Sequence, residues 1–108
     1  MSYFAITRSA GSSWAEGGIA AQSGVGDHAA FMNGLADDGF VLVAGPLAGS
    51  ENGRLRALVI VNADSDAEIR ARLANDPWTL SDHLQIQSIE PWNILVGIER
   101  LSDHTAAV

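Results

Sequence analysis

Two residues far apart in the sequence, His28 and Asp76, are the candidates for acid–base chemistry. His28 lies on the first turn of a predicted helix, in the middle of an apolar arc formed by Phe31, Met32 and Leu35, so its ring is predicted to point inward. An imidazole with one nitrogen held by a carboxylate can take a proton from a C–H or O–H group near neutral pH. The alternative is a core histidine that is satisfied by Asp76 or by a backbone carbonyl.

Four strands and two helices are predicted to position these residues. Alternating or continuous apolar runs predict strands at residues 3–7, 40–44, 54–61 and 84–89, and the second and third of these are apolar enough to be buried on both faces. The first helix stops at Gly39. A capping box formed by Ser65 and Glu68 opens the second helix, which is predicted to continue to Asp76 and to end at Pro77.

This order predicts one domain over residues 1–108 with an α+β, ferredoxin-like βαββαβ fold, in which both helices cover one face of a four-stranded antiparallel sheet. The connectivity brings His28, Asp76 and the end of the second strand at Gly45 and Pro46 to the same end of the sheet. Trp78 is close enough to Asp76 to line the same cleft, although an ordinary core tryptophan is the alternative.

Three further features concern the surroundings of that site. The segment 9–26 is rich in glycine, serine and alanine and is either a lid or disordered, and Trp14 favours a loop that docks near the site. Residues 93–108 form an apolar C-terminal extension. The second face of the sheet has no cover in the predicted fold, so we expect a homodimer with the open sheet faces packed together, and assembly beyond the dimer is left open.

The composition argues against several classes of protein. The net charge is −7 and there are only six lysines and arginines, which argues against nucleic-acid binding. No apolar run approaches the ~20 residues of a membrane span. The absence of cysteine excludes disulfides and thiolate sites and is compatible with a cytoplasmic location. The histidines define no three-ligand metal site, and no phosphate or dinucleotide motif predicts a cofactor.

Several spaced motifs resemble those of the YCII-related family, a branch of the dimeric α+β barrel superfamily. They are Asp-His before an apolar helix, Val-Leu-Val-Ala-Gly-Pro, the apolar third strand, Asn-Asp-Pro-Trp and Ile-Glu-Pro-Trp, and together they span roughly residues 2–95. The resemblance implies a dimeric α+β barrel in which His28 and Asp76 match an active-site pair. One branch of the family eliminates chloride from a chlorinated hydroxyquinone. The longer first loop and the apolar extension depart from the family pattern.

The residues and the resemblance together predict a cofactor-independent enzyme that acts on a small organic compound. His28 would be the general base or acid, Asp76 its orienting partner, and Trp78, Gly45, Pro46 and Trp14 would contact the substrate. The predicted reaction is a proton-coupled elimination or isomerisation, for which a cyclic substrate is favoured. The alternative is a non-catalytic ligand-binding or accessory protein that uses the same pocket.

Overall fold

The computed structural model describes residues 2–101, which form a single antiparallel sheet with helices against one face. The elements are β1 (Ser2–Ala10), α1 (Val25–Asp37), β2 (Val41–Pro46), β3 (Arg56–Ala63), α2 (Asp66–Leu73), α3 (Pro77–Leu80) and β4 (Leu84–Pro91). The strand order is β2-β3-β1-β4. Among the helices within residues 2–101, none has the length and the apolar character that a bilayer span requires.

The predicted α+β, ferredoxin-like fold is confirmed by this architecture. β1 lies in the middle of the sheet, antiparallel to both β3 and β4. Phe4 and Ile6 of β1 lie opposite Val61 and Val59 of β3, and all four side chains are buried on the face that the helices cover. The core is completed from the helices by Leu35, Ile69 and Leu73. The helix-covered face of the sheet therefore holds the main core.

The burial of β2 differs from the prediction. β2 pairs with β3 alone and forms an edge of the sheet. Val41 is buried, but Val43 is 51% exposed and the strand stays exposed to its end at Pro46. Within one copy of the chain the expectation that this strand is buried on both faces is not met, because no element of that copy covers the face of the sheet on which Val43 lies. In central β3, residues 59–61 are buried as predicted, but Leu58, which belongs to the same predicted run, is 39% exposed.

The end of α2 also differs from the prediction. The helix stops at Leu73, and Asp76 is the N-cap of the separate short helix α3. Pro77 begins α3 rather than ending α2, because proline has no N–H to lose at the first helical position and its fixed φ suits the helix there. The Asp76 side chain accepts a hydrogen bond from the Trp78 N–H at 2.9 Å. This cap fixes the carboxylate at the end of the sheet where the site lies.

The segment predicted as a loop over 9–26 is shorter in the structure and is held by specific hydrogen bonds. β1 continues to Ala10, and a single 3-10 turn at Ile19–Ala21 precedes α1. The buried amide of Gln22 accepts a hydrogen bond from the Ala15 N–H and donates to the carbonyls of Ala15 and Gly18. Trp14 donates from Nε1 to the Gly53 carbonyl at 2.8 Å. These bonds dock the loop against the β2–β3 connection.

The C-terminal extension follows β4 and begins as an irregular arm. The Trp92 N–H donates to the Tyr3 carbonyl at 2.9 Å, which ties the start of the arm to β1. Leu95 and Val96 are 80% and 91% exposed, and a helical turn follows at 98–101. The part of the predicted extension beyond residue 101 lies outside the described residues.

The capping box at the start of α2 gives a first prediction. Ser65 accepts from the Glu68 N–H at 3.1 Å, and the Glu68 carboxylate accepts from the Asp64 N–H at 2.8 Å. Ser65→Ala removes the cap and should lower the free energy of unfolding by about 1 kcal/mol, measured by denaturant titration. Ser65→Asp restores an N-cap acceptor and is the control. Equal losses for the two variants would contradict this account of the helix start.

Candidate active site

The imidazole of His28 and the carboxylate of Asp76 are in direct contact although 48 positions separate them in the sequence. Nδ1 of His28 lies 2.9 Å from both carboxylate oxygens. His28 comes from the first turn of α1, and Asp76 from the N-cap of α3. Asp76 has no exposed surface, whereas the His28 side chain is 17% exposed. The fold therefore presents a half-buried imidazole that is held from behind by a buried carboxylate.

A third residue, Arg8, completes this group. Its Nη1 donates to Oδ2 of Asp76 at 2.8 Å, and the side chain is 1% exposed. This arginine is not among the site residues predicted from the sequence. The signal was present in the alternation of β1, because Arg8 shares the inward-facing parity of Phe4 and Ile6. An inward arginine in a central strand requires a buried acceptor.

Asp76 stays ionised because its donors outweigh the effect of burial. Burial alone would raise the pKa of this carboxyl, but hydrogen bonds from His28, the Trp78 N–H and Arg8, with the positive charge of Arg8, lower the pKa below its ordinary value. A carboxylate only accepts hydrogen bonds, so Nδ1 of His28 must donate. The neutral ring then carries its lone pair on Nε2, and no described residue hydrogen-bonds to that nitrogen.

Aromatic rings hold the imidazole on its other side. The ring of Trp78 stacks on His28 with centroids 4.1 Å apart and an 11° angle between the planes. His83 is also nearly parallel to Trp78, at 5.8 Å, and Trp14 packs edge-on against the same indole at 5.4 Å. Nε1 of Trp78 donates to the Ser23 carbonyl at 2.9 Å, which fixes the indole below the start of α1. The orientation of His28 is thus set by both a carboxylate and a stacked ring.

A cavity of about 180 Å³ opens beside His28. The lining residues are Arg8, Ile19, His28, Met32, Ala44, Gly45, Pro46, Leu55, Ala57, Val59, Trp78 and Leu84. Of the predicted site residues, His28, Trp78, Gly45 and Pro46 line it, whereas Asp76 lies behind His28 and Trp14 lies behind Trp78. The docked loop contributes Ile19 instead. A cavity of ~150 Å³ holds a benzene ring, so this one fits a small ring compound.

The chemistry available at this site is proton transfer. Within residues 2–101, no three histidine, aspartate or glutamate side chains are arranged to hold a metal ion. His28 and Arg8 supply the polar groups of an otherwise largely apolar lining. A lone pair on Nε2 can accept a proton from a bound molecule, and the resulting imidazolium is stabilised by Asp76.

The buried carboxylate makes a prediction for stability against pH. A lowered pKa in the folded state stabilises the fold above the ordinary pKa of about 4, and this contribution is lost as the pH falls through the folded-state value. Asp76→Asn leaves Arg8 without its counter-charge and should lower the free energy of unfolding at pH 7 by about 3–5 kcal/mol. Denaturant titrations at several pH values should show this deficit shrinking below about pH 4.

The control is Asp66→Asn, which removes an exposed ion pair to Arg70 of 2.7 Å. We expect a change below about 1 kcal/mol, since exposed pairs contribute little. A deficit for Asp76→Asn that is the same at pH 3 and pH 7, or no larger than that of the control, would contradict the assignment of Asp76 as a buried anion.

Comparisons with known proteins identify the family to which the chain belongs. No curated protein matched the sequence. In a search of solved structures, the 5-chloro-2-hydroxyhydroquinone dehydrochlorinase TftG from Burkholderia phenoliruptrix, in complex with 2,5-dihydroxybenzoquinone, matches with a TM-score of 0.59 and 19% identity, over 90% of this chain and 97% of that one. This likeness shows a shared fold. The family model of the YCII-related domain matches residues 1–93. The chain therefore belongs to the YCII-related family.

Proposed function

We propose that this protein is a cofactor-independent enzyme that catalyses a proton-coupled elimination or isomerisation of a small organic compound. The observation that supports it most strongly is the contact between Nδ1 of His28 and the buried carboxylate of Asp76, at 2.9 Å. It leaves Nε2 without a hydrogen-bond partner among the described residues, and His28 lines a cavity. This is the arrangement that a general base requires.

Each residue of the group has a distinct role in this proposal. His28 exchanges a proton with the substrate through Nε2. Asp76 fixes the tautomer and the orientation of the ring, and it stabilises the imidazolium that forms when His28 accepts a proton. Trp78 restricts the tilt of the ring by stacking on it. The imidazole is therefore positioned before a substrate arrives, which lowers the cost of reaching the reactive geometry.

The cavity favours a small ring compound as the substrate. Its volume of about 180 Å³ is close to that of one six-membered ring with small substituents. Gly45 and Pro46 form part of the wall opposite the helices, and Ile19 comes from the docked loop. TftG is named for a dehydrochlorination of a hydroxyhydroquinone, and its ligand is a dihydroxybenzoquinone. We take a hydroxylated quinone or hydroquinone as the starting point for experiments.

The alternative function is non-catalytic binding of a similar compound in the same cavity. The hydrogen bond of His28 to Asp76 is equally compatible with a histidine that only donates to or accepts from a ligand. A binding protein needs no free base, so the two functions differ in whether bound ligand exchanges protons through His28. That difference is measurable without knowing the natural substrate.

The test uses 2,5-dihydroxybenzoquinone as a probe in D₂O. We expect the wild-type protein to accelerate exchange of the ring hydrogens for deuterium, followed by proton NMR, because His28 can deliver and remove hydrons at a ring carbon. His28→Gln should lower the protein-catalysed exchange rate by a factor of ~10²–10⁴. Glutamine retains an amide that can bond to Asp76, so the fold should be kept.

His83→Gln is the matched control, because His83 is also stacked against Trp78 but does not line the cavity. This variant should exchange the probe at a rate close to that of the wild type. Binding of the probe without acceleration would favour the alternative function. Exchange that is unaffected by His28→Gln would contradict the assignment of His28 as the acid–base group.

We also propose that the chain forms a homodimer through the open face of the sheet, the face away from the helices. Val43, Leu58 and Ile60 lie on this face, and Trp92 packs beside them. Val43, Leu58 and Trp92 are between 39% and 51% exposed. The only charged strand residues on the face, within the described part of the chain, are Arg56 and Glu90, which are opposite in sign. Two copies can therefore meet here without accumulating charge, although the chain carries a net −7.

A charge placed in the middle of this face should prevent the association. Leu58→Lys should convert the dimer to a monomer in analytical ultracentrifugation, because a buried unpaired ammonium is costly in an apolar interface. Leu80→Lys is the control, since Leu80 is 76% exposed but lies on α3. A monomeric wild type, or a dimer that tolerates Leu58→Lys, would contradict the proposal.

A further inference from the structure

Hydrogen bonds from both terminal nitrogens hold the guanidinium of Arg8 in place, whereas its third nitrogen, Nε, is unpaired among the described residues. Nη1 donates to Asp76 and Nη2 donates to Oγ1 of Thr79, both at 2.8 Å. The Thr79 hydroxyl in turn donates to the Leu73 carbonyl at 2.7 Å, so its oxygen is oriented as an acceptor for Arg8. Nε is buried and has no hydrogen-bond partner among the described residues.

An unpaired donor on a buried charged group is unfavourable, and native proteins satisfy nearly all such donors. The guanidinium cannot turn to pair Nε without breaking the bonds to Asp76 or Thr79. Arg8 also lines the cavity beside His28. A molecule in that cavity is therefore the available source of an acceptor for Arg8.

We propose that Arg8 is a substrate-binding residue that donates through Nε to an oxygen on a ring compound and stabilises the negative charge that develops there. The inference rests on the function proposed above and adds the substrate class: phenols, enols and hydroxyquinones, which carry such an oxygen. Loss of a proton from an O–H or an adjacent C–H sends the proton to Nε2 of His28. When an O–H bond breaks, its electron pair stays on the oxygen as a phenolate or enolate. When a C–H bond next to a carbonyl breaks, its pair forms a C=C bond and the π pair of the carbonyl moves onto the oxygen as an enolate.

The electrostatics of the site are compatible with such an anion. Asp76 already balances the charge of Arg8, so the pair is neutral as a whole, and Arg8 rather than Asp76 is the member of the pair that lines the cavity. Donors fixed in place in a water-poor site stabilise a developing oxyanion more effectively than water does, because they need no reorientation. Arg8 is fixed in this way by its hydrogen bonds to Asp76 and Thr79.

The experiment uses 4-nitrophenol as a probe, because only its ionised form absorbs strongly in the visible range. Bound to the wild-type protein, the probe should ionise at a lower pH than it does free in solution. Arg8→Met should weaken binding of the ionised form by about 10- to 100-fold, the range expected for a hydrogen bond to a charged group. Arg8→Lys keeps a positive charge for Asp76 but lacks Nε, so it should lose part of this preference. Arg70→Met is the control, since Arg70 is exposed on α2.

The two proposals can fail separately. His28→Gln should abolish hydrogen exchange yet keep the visible shift of the bound probe, if Arg8 is the anion-binding group. Circular dichroism and melting temperature show whether Arg8→Met folds, and if it does not, Arg8→Lys decides the question. A wild type that binds no probe or shows no preference for the ionised form overturns the proposal. So does an Arg8→Lys variant that matches the wild type.

Discussion

A carboxylate without exposed surface is the constraint on which the rest of this structure depends. Burying an ionised aspartate is unfavourable unless donors replace the water it loses. Here the donors come from three different elements: Arg8 from β1, His28 from α1 and the Trp78 N–H from α3. The same carboxylate therefore joins the sheet to two helices and sets the tautomer of the histidine. The buried carboxylate that links these elements is thus also the group that orients the imidazole of His28.

The cavity exists because the fold leaves this end of the sheet incompletely covered. The start of α1 and the short helix α3 lie at the same end of the sheet. The edge strand β2 ends there and is exposed over its last residues. Ala44, which pairs with Val59 on the helix-covered face, has a small side chain and leaves space beside His28. The docked loop closes part of the space with Ile19. The result is a largely apolar cavity in which Arg8 and His28 supply the polar groups.

The sequence was informative where connectivity alone determines proximity. The order of strands and helices predicts that His28, Asp76, Gly45 and Pro46 lie at one end of the sheet, and the structure places them there. Details that depend on local competition were harder to predict. Pro77 can end one helix or begin the next, and here it begins α3, with Asp76 as the N-cap. The burial of β2 was overestimated because an apolar run does not reveal that one copy of the chain leaves a face of the sheet uncovered.

Arg8 shows a different limit of sequence reasoning. Its position in the alternation of β1 points inward, but charged residues are seldom buried, so the pattern favours a strand that ends before it. The buried guanidinium of Arg8 is stabilised by Asp76, which lies 68 residues away in the sequence. The sequence around either residue alone does not predict that the two opposite charges are buried as a pair. The likeness to TftG adds the fold and leaves these roles to be tested on this chain.

The most direct test of the account is the tautomer of His28, measured by ¹⁵N NMR of the imidazole nitrogens in protein labelled at histidine. The account predicts that the neutral ring is protonated on Nδ1, with the lone pair on Nε2 facing the cavity, and that Asp76→Asn weakens this preference. A neutral His28 protonated on Nε2 in the wild-type protein would contradict it, because the nitrogen that borders the cavity could then accept no proton.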